Sequence, residues 1–251
     1  MRITMSPQDY ATAFRLLAMT ARHHENIGKV VEERILPRLP ARPSLLDVGA
    51  GPGTVARRLA PHFGSFTLLE PNRDQLAGFE LAGAKILHTT LEGFQSPETY
   101  DVVLCSHVLY HVPLGDWGGF VDRLLSFTRP GGYCVIVLGA ARGQNYELHR
   151  DFTDTVISSA QLLEELKKKR LPHEAVPVMN GFSAATFEEM YTLCRFFVLE
   201  DCYTADRLAA LSESGARELD ARIRQHAERC RGSDGVYRLE QDEDVVIIPK
   251  P

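Results

Sequence analysis

No stretch of this 251-residue chain stays apolar for the ~20 positions that a membrane-spanning helix needs. Its first residues lack the basic-then-apolar layout of a secretory leader. The five cysteines, Cys105, Cys134, Cys194, Cys202 and Cys230, form no Cys-x-x-Cys pair, so reduced structural thiols in a cytoplasmic protein are expected. His-Glu-x-x-His and Cys/His clusters are missing as well, and no metal site is expected. The acids Asp242-Glu243-Asp244 read as a solvated turn. The hydrolase elbow Gly-x-Ser-x-Gly is absent. There is no basic excess either: a net charge of −5 provides no field for nucleic acid or an anionic membrane, and neither partner is expected. The one cationic run, Lys167-Lys168-Lys169-Arg170, follows Glu164-Glu165 and closes a helix, where cations complement the dipole. What remains is an ordinary globular composition, 44% apolar and 24% charged, enough for a single domain over 1–251 with a full core. Monomer and homodimer both stay open.

Against these absences stands one dense motif. Leu45-Leu46-Asp47-Val48 reads as a short buried strand, and Gly49-Ala50-Gly51-Pro52-Gly53-Thr54 as the turn that follows it. Glycine serves such a turn because its backbone needs unusual dihedrals and a ligand must approach it closely. Phe66-Thr67-Leu68-Leu69 reads as a second strand, ending in Glu70-Pro71. A carboxylate at that point can accept both hydroxyls of a ribose. Strand, glycine turn, helix, strand, acid is the order of a nucleoside-binding half-sheet. A dinucleotide fingerprint wants a third spaced glycine where this chain has Thr54. Asp47, inside the strand, suits a ligand that presents a cationic ammonium near the turn. An adenosine-type cofactor is implied.

These residues resemble motif I of the class I S-adenosylmethionine (SAM) methyltransferases, acid-x-Gly-x-Gly-x-Gly. The likeness extends to Thr89-Thr90 near the adenine, Tyr100 to His107 as a fourth strand, and Arg129-Pro130-Gly131-Gly132 as the turn before a fifth. One level down, the chain is similar to small-molecule N-methyltransferases of the histamine N-methyltransferase type. Tyr10, Phe14, Arg15 and His24 in a helical N-terminal segment carry that likeness, with Gln75 after Glu70-Pro71. So do Ser106 to Val112 after strand 4 and a C-terminal hairpin over Gly235 to Ile248. The resemblance implies SAM as cofactor, held by His24, Asp47, Gly49, Gly51, Glu70, Gln75, Thr90 and Ser106. It also implies acceptor contacts from Tyr10, Phe14 and Gln241. Two departures make histamine itself an unsafe acceptor. The family's aromatic box reads Gln144-Asn145-Tyr146-Glu147-Leu148, without tryptophan, and the acid beside the conserved histidine is His23. Strand 4 also lacks the Asp-Pro-Pro-Tyr or Asn-Pro-Pro-Tyr ending of enzymes that methylate nucleobase or glutamine nitrogens.

Along the chain, Ser6 caps a first helix with Pro7 in its first turn, and Tyr10, Phe14 and Leu17 share one face. A second helix is expected over about 25–36. Strand and helix then alternate to a fifth strand over 133–138, which predicts a parallel sheet with helices on both faces. Residues 140–186 interrupt the alternation as a partly helical, substrate-side insertion ending in a Pro-, Gly- and Asn-rich stretch. A helix over 186–194 is expected to lead into a sixth strand over 196–202, and another helix to cover about 214–231. The alternating segments 236–239 and 244–248 form a terminal hairpin or the last strand. The expected fold class is α/β: a Rossmann-like, seven-stranded, mostly parallel sheet, an N-terminal helical lid over 6–38 and a C-terminal antiparallel hairpin.

The implied chemistry is methyl transfer to a small-molecule acceptor, at nitrogen, by in-line displacement. Holding the reactants in line supplies ~7–11 kcal/mol of such a barrier. An amine must be neutral to attack. His107, Tyr110 and His111 follow strand 4 at the carboxyl edge, where open α/β sheets bind ligands, and they are the expected catalytic groups. The same cofactor site would serve an enzyme that releases methylthioadenosine by letting the amino-acid part of SAM react, or a non-catalytic SAM-binding protein.

Overall fold

A computed structural model describes residues 4–76 and 78–251. The chain divides into two compact units. A helical unit comprises the residues up to Arg22, Ala140–Val156 and Met179–Asp242; a sheet unit comprises His23–Gly139, Ile157–Val178 and Glu243–Pro251.

In the sheet unit, β1 (Ser44–Val48) pairs in parallel with β2 (Ser65–Leu69) and β4 (Tyr100–Ser106), β2 with β3 (Ala84–Leu87), and β4 with β5 (Thr128–Gly139). β4 is buried along nearly its whole length because both of its faces are covered. Successive strand residues point to opposite layers. Leu45, Val102, Leu104, Val135 and Val137 meet α2 (His23–Val30) and α3 (Thr54–Leu59) through Ile27, Ala56 and Leu59. Leu46, Val103, Cys105 and Ile136 meet α4 (Trp117–Phe127) and α6 (Ser159–Lys168) through Trp117, Leu124, Leu162 and Leu166. With β6 over Glu174–Ala184 and β7 over Tyr237–Pro249, the full strand order is β3-β2-β1-β4-β5-β7-β6, so the expected parallel core with helices on both faces is present.

β7 (Tyr237–Pro249) runs antiparallel to β5, from Tyr133 opposite Pro249 to Gly139 opposite Glu243. Lys250 anchors its end: Nζ donates to Leu125 O at 2.8 Å and Thr128 O at 2.7 Å. Residues 236–248 therefore take the second of their two expected forms, as a last strand. The acids Asp242-Glu243-Asp244 are not a solvated turn. They lie mid-strand, and Glu243 and Asp244 are buried, because β5 pairs with them through Gly139 and Leu138.

The helical unit holds α1 (Pro7–Thr20), α5 (Gln144–Arg150), α7 (Phe187–Asp201), α8 (Ala205–Ala209) and α9 (Glu213–Arg229). Ser6 caps α1 as expected, accepting from Asp9 N at 3.1 Å. The strand expected over 196–202 is instead the second half of α7. A capping box of Thr186 and Glu189 starts that helix, and no glycine or proline interrupts it. Met190, Leu193, Cys194 and Phe197 then bury at helical spacing, so the run Phe196-Phe197-Val198 packs as helix despite its strand-forming composition. The missing strand is β6 (Glu174–Ala184), in the stretch where Pro177, Asn180 and Gly181 signalled loop. It stands last in the sheet order, and an edge strand tolerates proline. Among the described residues no helix is long and apolar enough to cross a membrane, and all five cysteines are buried and free.

Candidate functional site

The glycine turn after β1 is built by the backbone. Gly49 N and Ala50 N both donate to Leu69 O, at 2.8 and 3.0 Å, tying the turn to the end of β2. Gly49, Gly51 and Gly53 sit at φ of +70°, +53° and +72°, the left-handed region that glycine enters freely. Their surroundings differ. A Cβ on Gly49 would lie 2.3 Å from Val108 Cγ2, and one on Gly53 2.3 Å from Phe79, whereas one on Gly51 meets nothing within 4 Å. The outer two are glycine so that the turn can pack; the middle one faces open space.

Glu70 closes the turn from the other side. One carboxylate oxygen accepts from Gly51 N at 2.9 Å and the other from Asn72 N at 2.9 Å. Two backbone donors thus fix the carboxylate, and each oxygen keeps a lone pair for a further donor. Asp47 is buried at the end of β1, and burial, with the Glu70 charge adding, pushes its carboxyl up to about 7.

The segment after β4 lies against the turn through Val108, whose methyl occupies the space that Gly49 leaves. His107 adopts φ +58°, an unusual conformation for a non-glycine residue, held by its N–H bonding to Val137 O at 3.0 Å. Its ring stacks on Tyr110 at 5.9 Å, and the Tyr110 hydroxyl accepts from Gly139 N at 2.7 Å. His107 Nε2 faces Glu243 Oε1 at 3.4 Å. His23 Nδ1, from the first turn of α2, contacts the same oxygen, and the two imidazoles meet edge to face at 4.8 Å. Glu243 is fully buried, while the two histidine side chains are about a quarter exposed, at 27% for His23 and 26% for His107. Burial alone would raise the Glu243 carboxyl; the hydrogen bonds and charge of His107 and His23 hold it well below the usual carboxylate range.

The remaining expected site residues fall in several places. Ser106 ends β4 and pairs with Val137. Gln75 N donates to Asn72 O at 3.2 Å, just after Glu70, and Thr90 Oγ1 accepts from Gly93 N at 3.4 Å after β3. His24 is half-buried in the first turn of α2, beside His23. His111 is exposed, its N–H donating to Val108 O at 2.9 Å. Tyr10, Phe14 and Gln241 belong to the helical unit. There Tyr10 and Phe14 stack on each other at 5.2 Å and meet Phe196 edge to face, and Gln241 Oε1 accepts from Asn145 Nδ2 at 2.7 Å. The expected lid, 6–38, is divided between the units after Arg22. Sequence reasoning missed His23 and Glu243. The signal available was the His23-His24 pair, of which the resemblance favours the second.

Comparison with known proteins agrees with this geometry. A family model described as a methyltransferase domain matches residues 19–192. The ubiquinone biosynthesis O-methyltransferase of Vibrio atlanticus (strain LGP32) is 27% identical over 138 residues, 52% of this chain and 55% of that protein. Nodulation protein S of Rhizobium tropici is 28% identical over 137 residues, 50% of this chain and 56% of its own length. The chain thus spans a little over half the length of these curated relatives. Among solved structures, the YcgJ protein of Bacillus subtilis superposes with a TM-score of 0.58 at 13% identity, covering 91% of this chain and 100% of that one. Phosphoethanolamine N-methyltransferase 2 of Haemonchus contortus, in complex with phosphomonomethylethanolamine and S-adenosylhomocysteine, gives 0.57 at 16% identity, over 97% of this chain and 58% of its own. The open space at Gly51 and the backbone-oriented Glu70 carboxylate fit the adenosine portion of SAM. The chain belongs to the methyltransferase-domain family and carries a SAM-dependent methyltransferase domain of the class I kind.

Proposed function

We propose that this protein transfers a methyl group from SAM to a small-molecule acceptor, at nitrogen, in the cytoplasm. The single observation that carries the reading is the Glu70 carboxylate, fixed by Gly51 N and Asn72 N beside the open middle glycine of the turn. It gives a ribose two oriented acceptors, and Asp47 gives an ammonium group its counter-charge. When bound, SAM supplies a methyl on a sulfonium, already a good leaving group. The protein's part is then to hold the acceptor in line and exclude water.

On the acceptor side we assign His107 and Tyr110 to positioning, because His107 Nε2 is turned to Glu243 and the Tyr110 hydroxyl to Gly139 N. The proton of an amine acceptor goes to His111, the exposed histidine of the same segment. Residues 6–38 are the stretch we propose to respond to bound ligand, with His24, in the sheet unit, as its cofactor contact; acceptor contacts from Tyr10, Phe14 and Gln241 are what the resemblance implies. Amide exchange there is expected to slow on adding S-adenosylhomocysteine; unchanged exchange in both α1 and α2 would make the segment a static cap.

Incubation with SAM and a library of small amines, read by mass spectrometry, tests the reaction. Release of S-adenosylhomocysteine with a product heavier by one methyl group is the expected result. Methylthioadenosine release would replace methyl transfer with chemistry of the amino-acid part. Tight cofactor binding without any turnover would make the protein a SAM sensor.

A further inference from the structure

His23, His107 and Glu243 are far apart in sequence, yet α2, the end of β4 and the middle of β7 bring one donor atom from each within 4.8 Å of the others. All three residues belong to the sheet unit. We propose that these three side chains form a binding site for a divalent transition-metal ion.

Three features support a metal centre over a simple polar contact. The first is donor chemistry: two imidazole nitrogens and one carboxylate oxygen suit Zn²⁺, Fe²⁺, Co²⁺, Ni²⁺ or Mn²⁺, whereas Mg²⁺ and Ca²⁺ favour oxygen-only shells. The second is reach. Ligand atoms each about 2.0–2.2 Å from one cation lie roughly 3–4 Å apart, so small rotations of these side chains complete the set. The third is preorganisation. Glu243 is fixed by its β-ladder place opposite Gly139 and is fully buried. His107 is held in its left-handed backbone conformation by the bond to Val137 O, and its ring is stacked on Tyr110. Strained backbone of this kind persists where the surroundings over-determine it, and functional sites are where it collects.

Metal binding replaces the imidazole–carboxylate contacts. Each ligating nitrogen turns its lone pair to the cation, any proton it shared with Glu243 leaves to solvent, and the carboxylate supplies the anionic ligand. Three protein ligands leave coordination positions open, the pattern of a centre that binds water or an exchangeable small ligand. Since the two ligating histidines are partly exposed, those positions are reachable from solvent. The inference deepens the methyl-transfer reading, because it puts a Lewis acid in the segment assigned to the acceptor, one suited to an acceptor with an oxygen or nitrogen donor beside its methylated atom.

The test uses the full chain without an affinity tag, stripped with a chelator and dialysed against Zn²⁺ or Co²⁺. The expected result is one tightly held ion per chain by elemental analysis and, with Co²⁺, a visible absorption band absent from free Co²⁺. His23→Gln and Glu243→Gln are each expected to weaken binding by roughly a hundredfold or more. His23→Gln changes a partly exposed helix residue rather than a buried strand residue, so it guards against a folding failure in Glu243→Gln; circular dichroism and S-adenosylhomocysteine calorimetry establish that each variant is folded. Failure to retain a stoichiometric ion, or a Co²⁺ spectrum that both folded variants keep unchanged, would overturn the site. None of these readings depends on turnover, so they separate from the library incubation: a protein that binds metal but transfers no methyl group keeps this inference and loses the other.

Discussion

Two buried glutamates in the sheet unit solve the same electrostatic problem in different ways. Glu70 takes its hydrogen bonds from backbone N–H groups of Gly51 and Asn72. Glu243 faces the imidazole side chains of His23 and His107 instead. Backbone donors cannot gain or lose protons, so the Glu70 carboxylate is a permanent acceptor, as the ribose-binding role proposed for it requires. Imidazoles can change protonation and can ligate, so the Glu243 site is open to exchange with a cation. A cofactor cradle needs the first arrangement. A site whose occupant varies is better served by the second.

The comparison breaks most sharply on mutation of the acids. Glu70→Ala should lower S-adenosylhomocysteine affinity roughly a hundredfold, about 3 kcal/mol, by removing charge-assisted bonds to the ribose and the anchor of the turn. Glu243→Gln should leave that affinity within a few-fold. Titration calorimetry on both variants decides it, and equal losses would mean that the two acids belong to one site.

A second contrast lies within the glycine turn itself. Gly49→Val drives a branched side chain into Val108 and should destabilise the fold by about 3 kcal/mol in urea unfolding. Gly51→Val meets no neighbour, so its main structural penalty is the left-handed dihedral, about 1–2 kcal/mol, while cofactor binding is abolished. If Gly51→Val binds S-adenosylhomocysteine normally, the open space beside it is not the cofactor's.

Protons sharpen the contrast further. Asp47 titrates at about 7 in the folded protein against 3.8 for an ordinary aspartate, so the folded state binds the proton more tightly. Its contribution to stability is therefore present below the ordinary value, lost as pH rises from there towards 7, and constant above. A ligand ammonium beside Asp47 favours the carboxylate, so binding S-adenosylhomocysteine near pH 6 should release a proton. Calorimetry in two buffers of different ionisation enthalpy reads that proton directly, and Asp47→Asn should abolish it.

The smallest expected effect concerns the support of His107. Tyr110→Phe removes the acceptor of the Gly139 N–H and should cost about 1 kcal/mol in urea unfolding. A loss indistinguishable from zero would mean that water replaces the hydroxyl there.

What the sequence disclosed follows the same division. The turn built by Asp47, the glycines and Glu70 was legible because its geometry is local: positive dihedrals, close packing and an acid at a strand end leave residue-specific marks. The order of β1 to β5 was legible too, since fully buried parallel strands are short apolar runs between turns. Glu243 was not. Three consecutive acids look solvated until a partner strand is known, and only pairing with β5 decides which of them are buried. His23 and His24 are equivalent in sequence, and the choice between them depends on how α2 packs. The misread of 196–202 has a similar origin. Aromatic and β-branched residues favour strand by composition, but a capping box ten residues earlier commits the backbone to helix.

The anchoring of Lys250 has a consequence at the other end of its strand. Residues on β7 alternate sides, so sliding it by one position against β5 would turn Glu243 away and present Asp242 or Asp244 in its place, each with a shorter reach. The bonds from Lys250 to Leu125 O and Thr128 O oppose that slide. A lysine at the far end of the same strand thus acts as the zero mark of a ruler, and the histidines meet the acid that stands seven places before it.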